Sequence, residues 1–219
     1  FQISKNTAVI QAHAMDYDIY LNEEAENKNQ YSSENYGVFI DSDIFDAPDY
    51  DLLDISPHCN SDSYYQRLNM MFEYYEKLIN VKIIIAGNPK ANIGKLENPF
   101  DNRHIVYNNT CHLIKYSSFV IVEYSTAVNF AVLYSKPLIF IDSEMYTNNF
   151  RNLINAQAKS LNCSLTKYDL CTEYVSQNKS TLSVDQKAYN DYYKKYIKNE
   201  NTPIKLKWEI FCDYLEEVR

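Results

Sequence analysis

Glycine is scarce in this chain, with only 3 among 219 residues. The sequence contains neither a GxGxxG turn nor a GxxxxGK[ST] loop, so the common dinucleotide-binding and P-loop motifs are excluded. A phosphate site would therefore have to use hydroxyl groups and the backbone N–H groups at the start of a helix. The sequence also lacks a run of roughly 18–20 apolar residues, so it predicts no membrane-spanning helix.

Cysteine spacing and net charge exclude further classes. The five cysteines include no CxxC pair, and none of the four histidines stands at metal-ligand spacing from a cysteine. This favours reduced thiols in a cytoplasmic protein over a disulfide framework or a zinc site. The net charge is −8 and no basic stripe is present, which argues against nucleic acid as a partner. An apolar content of 46% with mixed charge argues against wholesale disorder.

Apolar runs alternate with helical patterns through the middle of the chain. Strands are predicted at 36–40, 81–86, 104–107, 119–122 and 137–141, and helices at 63–79, 110–115 (with Thr110 as cap) and 126–134. This alternation predicts an α/β fold, a Rossmann-like parallel sheet with helices on both faces.

The two ends of the chain differ from this middle part. Residues 1–35 are expected to hold a short strand at 7–13 and a polar loop at 22–35, and could connect to a further domain. Residues 36–145 form the predicted nucleotide-binding domain. Residues 146–219 are predicted to be a helical region. Its helices are expected near 148–160, 184–198 and 203–217, with an irregular segment at 162–181.

Three predicted strands end in polar residues. They are followed by Asp41-Ser42-Asp43, by Gly87-Asn88-Pro89-Lys90 and by Glu123-Tyr124-Ser125-Thr126. Ligands of an open parallel sheet bind beyond the carboxyl ends of its strands. These segments are therefore expected to form one crevice, in which the helix after Thr126 presents free N–H groups to a phosphate.

Each of these motifs also has an ordinary structural explanation. Ser125-Thr126 also fits an ordinary helix N-cap, and Asn88-Pro89 fits an ordinary turn that follows a strand. Lys90 alone would be a solvated surface charge. Asp41 and Asp43 suit either a polar strand exit or a catalytic base or ribose contact.

The segment GVFIDSDIF at 37–45 resembles the first motif of haloacid-dehalogenase phosphatases. The resemblance implies Mg²⁺-dependent phosphate release, with Asp41 as nucleophile and Asp43 transferring protons. The remaining motif positions would be Ser125 or Thr126, Lys136 and Asp142. The chain departs from that family in having Ile-Phe after Asp43 in place of Gly-Thr, and in having only Glu144 after Asp142.

A second resemblance covers residues 9 to 200. Its segments, in order, are YYQRLNMMFEYYE at 64–76, IIIAGNPKAN at 83–92, TCHLIKYSS at 110–118, the Ser/Thr pair and a Lys-Pro before the last strand. This order resembles bacterial surface and capsular polysaccharide glycosyltransferases of the two-domain GT-B type. The relevant groups are the sialyltransferase- and Kdo-transferase-like families, which use CMP-activated sugars.

This resemblance implies a nucleotide-binding half that transfers a sugar from a CMP-sugar to a glycan acceptor. Ser125 and Thr126 would bind the nucleotide phosphate, together with Asn88, Pro89 and Lys90 at the position of the His-Pro turn. Asp41 would be the best acidic candidate for a catalytic residue, although the catalytic base of a GT-B enzyme often lies on the other domain. The chain has Asn88 where that family has His, and an amide cannot transfer a proton near neutral pH.

The same resemblance sets expectations for cofactors, partners and location. It implies no metal cofactor, because a CMP-sugar has one phosphate. A second GT-B domain and association with the inner face of the membrane would fit it. The oligomeric state is left open. A non-catalytic binding module with the same fold is the third alternative.

Overall fold

The computed structural model describes residues 7–26, 35–44, 56–59, 61–89, 98–167 and 182–218. Within them, six parallel strands form one sheet in the order β3-β2-β1-β4-β5-β6. The strands are β1 (Tyr36–Ile40), β2 (Lys82–Gly87), β3 (Ile105–Tyr107), β4 (Phe119–Val122), β5 (Leu138–Asp142) and β6 (Leu165–Lys167). The predicted Rossmann-like α/β fold is confirmed.

The helices of the described ranges connect and cover these strands. They are α1 (Met15–Glu26), α2 (Ser61–Ile79), α3 (Thr110–Tyr116), α4 (Val128–Leu133), α5 (Asn148–Ser160), α6 (Gln186–Tyr192) and α7 (Lys207–Glu217). A π-helical turn at Tyr193–Ile197 continues α6. None of the helices in these ranges is long and apolar enough to cross a bilayer.

Two aromatic residues of β1 show that helices cover both faces of the sheet. The Phe39 ring packs against Phe72 of α2 with centroids 5.0 Å apart. The Tyr36 hydroxyl donates a hydrogen bond to the Leu113 carbonyl of α3 at 2.9 Å. Side chains an odd number of residues apart on a strand point to opposite faces, so α2 and α3 lie on opposite sides. All residues of β1 and β4 are buried accordingly.

The amino-terminal segment differs from its prediction. Residues 7–14 form no regular secondary structure, so the strand predicted at 7–13 is wrong. Residues 15–26 form α1, where the predicted loop began at residue 22. Long-range contacts hold this polar helix, because Tyr17 is buried in the core and Glu23 accepts a hydrogen bond from His112 of α3.

The sheet also continues past residue 145, where the predicted domain ends. β6 pairs with β5 and lies inside the segment predicted to be irregular. Thr110 is the first residue of α3 and Asn109 occupies the cap position, so the prediction of Thr110 as the cap is wrong. Residues 27–34 and 168–181 of the predicted loops lie outside the described residues.

Candidate ligand-binding cleft

The strand order places a crevice between β1 and β4. Strands β2 and β3 extend from one side of β1, and β5 and β6 extend from the other side of β4. Sheets of this order bind ligands where the direction reverses, outside the carboxyl ends of the strands. A cleft of about 630 Å³ opens there, a volume typical of small-molecule sites. Hereafter it is the switch-point cleft.

The structure brings five of the six predicted site residues to the wall of this cleft. They are Asp41, Asn88, Pro89, Ser125 and Thr126. The sixth, Lys90, lies outside the described residues. The expected convergence of three strand ends is therefore found for their described residues, and the roles assigned to the residues stay predictions.

The loop after β1 is tied to the loop after β4. The Ser42 hydroxyl donates to the Tyr124 carbonyl at 3.0 Å. The Asp43 amide donates to Asp41 Oδ1 at 3.0 Å, which closes a tight turn. Asp43 is buried with a φ of 46° and does not line the cleft, whereas Asp41 is half-buried and does. The two aspartates therefore do not present a pair of carboxylates to one ligand.

Ser125 is engaged within the protein. Its Oγ accepts a hydrogen bond from the Ala127 amide at 3.2 Å, as in an ordinary turn. Gln157 of α5 makes two further bonds to the same residue. Its Oε1 accepts from the Ser125 amide at 3.2 Å, and its Nε2 donates to the Ser125 carbonyl at 2.9 Å. Ser125 thus has a structural role whatever it also binds.

Thr126 is exposed and differently placed. Within the described part of the chain, neither its hydroxyl nor its amide makes a hydrogen bond. Its carbonyl accepts from the Asn129 amide at 3.0 Å, which fixes the backbone. Thr126 therefore offers a ligand two donors on a fixed loop.

The expected row of free N–H groups at the start of α4 is not formed. The amides of Val128, Asn129 and Phe130 donate to the carbonyls three residues earlier, at 3.4, 3.0 and 3.1 Å. These tight turns satisfy the groups that a longer α-helix would leave open. The prediction of free N–H groups at the start of this helix is therefore wrong for Val128, Asn129 and Phe130, whereas the Thr126 amide makes no hydrogen bond within the described part of the chain. Phosphate binding at this loop stays a prediction.

The described wall of the cleft is acidic. Its carboxylates are Glu23, Glu26 and Asp41, and its described lining residues include no lysine, arginine or histidine. Glu23 is engaged within the protein, because its Oε1 lies 2.7 Å from His112 Nδ1 and 3.8 Å from Lys115 Nζ. Such a wall disfavours a ligand with many negative charges.

A buried carboxyl behind the cleft was not singled out from the sequence. Glu123 follows β4 and is fully buried. Its Oε1 accepts hydrogen bonds from the hydroxyls of Tyr64 and Tyr146, and its Oε2 has no hydrogen-bond partner in the described chain. Burial raises the pKa of Glu123 to about 7. The hydrogen bonds from the two tyrosines lower this pKa in part, and the charge of Asp41 raises it slightly. Its place within a strand-end motif was the only sequence signal.

The residues of the phosphatase alternative are only partly brought together, because Asp41, Ser125 and Thr126 line the cleft whereas Lys136 and Asp142 do not. Lys136 precedes β5, and the strand registers place it level with Tyr36. It therefore lies at the amino-terminal ends of the strands, whereas Asp41 lies at their carboxyl ends. Five residues along a strand correspond to about 16 Å. Asp142 is buried and paired with Arg151, whose Nη2 lies 2.9 Å from its Oδ2. In the described ranges, no group of three or more His, Cys, Asp or Glu side chains could hold a metal ion.

Comparison with protein families and with curated proteins identifies no relative. No protein-family model matches the chain, and no curated protein matches it. Function is therefore inferred from the fold and the cleft.

Proposed function

We propose that this chain binds a nucleotide-sugar in the switch-point cleft and transfers its sugar to a glycan acceptor. In this proposal it is the nucleotide-binding half of a GT-B-like glycosyltransferase of surface polysaccharide synthesis. It would act in the cytoplasm, with a second domain as partner, and could associate with the inner face of the membrane. One observation supports the proposal above others: Thr126, Asn88 and Asp41, from three strand ends, line the same crevice at the reversal of strand order.

The proposed phosphate contacts are the Thr126 hydroxyl and amide, with the side-chain amide of Asn88 from the neighbouring strand end. These donors would stabilise the charge that develops on the phosphate as the sugar–phosphate bond breaks. The leaving group is CMP, a phosphate monoester, and its phosphate is a weak base near neutral pH. The proposed step therefore requires no proton from Asn88, whose amide cannot supply one. Asp41, whose Oδ1 also accepts a hydrogen bond from the Asp43 amide, is proposed to contact a ribose hydroxyl or the acceptor hydroxyl.

The acidic wall favours a donor with a single phosphate. A CMP-sugar has one negative phosphate charge, whereas a UDP- or GDP-sugar has two. Each added charge beside Glu26 and Asp41 costs free energy in a partly desolvated cleft. At the phosphate contacts, the cleft's chemistry therefore supports one phosphate group, as in a CMP-sugar, over the two of a UDP- or GDP-sugar.

A binding module without turnover is the second candidate. It is favoured by Asn88 at the place of a histidine, and by the lack of histidine among the described residues that line the cleft. Both candidates require nucleotide binding, and only the first requires release of CMP from a CMP-sugar. The placement of Lys136 and Asp142 gives no support to a phosphatase.

The test is a calorimetric titration of CMP, CDP, UDP and GDP, each with and without Mg²⁺. We expect CMP to bind without Mg²⁺ and more tightly than the diphosphates. Thr126→Val, which keeps the shape and removes the hydroxyl, should weaken CMP binding about tenfold. Its unfolding temperature should stay that of the wild type, because this hydroxyl has no partner in the described protein.

The matched control is Thr166→Val on the edge strand β6, which should leave CMP affinity unchanged. Equal affinity of wild type and Thr126→Val for CMP would reject the phosphate assignment. Release of CMP from a CMP-sugar, followed with a mixed glycan acceptor pool, then separates a transferase from a binding module.

A further inference from the structure

A second cleft of about 660 Å³ adjoins the first, and Tyr124 and Thr126 line both. Hereafter it is the second cleft. Other residues that line it are Asp16, Asn129, Leu153, Gln157, Tyr192 and Tyr196. They come from α1, α4, α5, the last residue of α6 and the π-helical turn after it, so the cleft is formed by elements distant in sequence.

Asn129 connects the two clefts through hydrogen bonds. Its side-chain Nδ2 donates to Asp16 Oδ2 at 2.7 Å, and its backbone amide donates to the Thr126 carbonyl at 3.0 Å. The Asn129 Oδ1 atom is buried and has no partner in the described chain. Asp16 in the second cleft is therefore held in a fixed position relative to Thr126 in the first.

Asp16 offers a hydrogen-bond acceptor to a ligand. It is half-buried, and this burial raises the pKa of its carboxyl. The hydrogen bond from Asn129 lowers the pKa by a smaller amount. Its Oδ1 accepts no hydrogen bond from the described part of the protein. A carboxylate in this state gains most from hydroxyl or N–H donors, because its own hydration is already reduced.

Aromatic and apolar surface lies beside this carboxylate. Tyr124 is 36% exposed and Tyr196 is 48% exposed, and the Tyr196 ring lies 4.7 Å from the ring of buried Tyr192. Leu153 adds exposed apolar surface. The lining residues of the described chain include no lysine, arginine or histidine, so an anionic ligand is disfavoured. A sugar ring suits this lining, since its C–H face packs on tyrosine and its hydroxyls donate to carboxylate and amide oxygens.

We infer that the second cleft binds an uncharged sugar through Asp16 and Tyr196. Its identity as the acceptor site rests on the proposed transferase function, because a shared Thr126 wall would bring an acceptor next to the donor phosphate. Sugar binding itself does not depend on that function.

The test is an NMR titration of the labelled protein with neutral disaccharides (lactose, maltose and cellobiose), run beside a titration with the quaternary ammonium ion choline. We expect at least one disaccharide to shift the amide signals of Asp16, Asn129 and Tyr196. Tyr196→Ala and Asp16→Asn should each weaken that binding about five- to tenfold. Trp208→Ala removes an exposed aromatic ring that does not line the cleft and should change nothing.

Three outcomes would overturn the inference. They are the absence of shifts with all three disaccharides, equal sugar affinity in Tyr196→Ala and wild type, and choline binding without sugar binding. A CMP titration of the same samples separates the two proposals. Sugar binding without CMP binding would support the second cleft and reject the nucleotide function.

Discussion

Gln157 makes hydrogen bonds to both backbone polar groups of Ser125. The Gln157 side chain accepts from the Ser125 amide at 3.2 Å and donates to its carbonyl at 2.9 Å, across 32 residues of sequence. A side-chain amide that binds both the N–H and the C=O of one loop residue satisfies the backbone groups that a neighbouring strand would otherwise satisfy. Helix α5 therefore fixes the β4–α4 loop from which Tyr124 and Thr126 line both clefts.

Gln157→Ala should therefore loosen the loop as well as destabilise the fold. We expect a loss of about 1–2 kcal/mol in the free energy of unfolding, since two backbone groups lose their partners. CMP affinity should fall in addition, although Gln157 does not line the switch-point cleft. Urea unfolding and calorimetry measure the two effects.

The control for this change is Gln186→Ala, which removes an exposed glutamine bonded to exposed Asn190. It should alter neither unfolding nor binding by a measurable amount. Loss of stability in Gln157→Ala without loss of CMP affinity would show that the loop binds nucleotide without this support.

The sequence was most informative where local pattern and tertiary environment agree. The predicted bounds of β1, β4 and α5 agree with the observed ones. Buried parallel strands are continuous apolar runs, which identifies β1 and β4. Helix α5 repeats its apolar residues at helical spacing. The place of the switch-point cleft also follows from topology, since the carboxyl ends of parallel strands lie on one side of the sheet.

The failures are places where distant residues decide the local structure. Helix α1 has little amphipathic pattern and forms through contacts such as Asp16 with Asn129, which lie 113 residues apart. Strand β6 is three residues long and is defined by its pairing with β5. The tight turns that use up the amides of α4 likewise depend on backbone geometry, which composition does not encode.

Gly37 of β1 is predicted to be required for packing. A Cβ atom at this position would lie 2.4 Å from the Phe119 ring of neighbouring β4. Gly37→Ala should cost about 2–3 kcal/mol of unfolding free energy, because the ring lies in a filled core. In a Phe119→Leu background the same change should cost less than about 1 kcal/mol, since the clashing ring is gone. Urea unfolding of the wild type, the two single variants and the double variant measures both costs. Equal costs of Gly37→Ala in the two backgrounds would contradict the steric explanation.

Glu123 is predicted to make stability fall as pH rises. Its pKa is raised by burial from 4.5 to about 7 in the folded protein. Below pH 4.5 both states hold the proton, so folding carries no penalty from this group. Between 4.5 and 7 the unfolded chain releases the proton and the folded protein keeps it, so the free energy of unfolding falls. Above 7 the penalty is constant, at about 3 kcal/mol or less.

Glu123→Gln should remove this dependence. The side-chain oxygen of the substituted amide can still accept from Tyr64 and Tyr146, while its buried NH₂ group lowers stability by a constant amount at every pH. As the pH rises from 5 to 8, the free energy of unfolding of the wild type should therefore fall relative to that of the variant. Urea unfolding at pH 5, 6, 7 and 8 measures it, with exposed Glu216→Gln as the control that should run parallel to wild type. A difference that stays constant across this range would mean that Glu123 ionises in the folded protein as readily as in the unfolded chain.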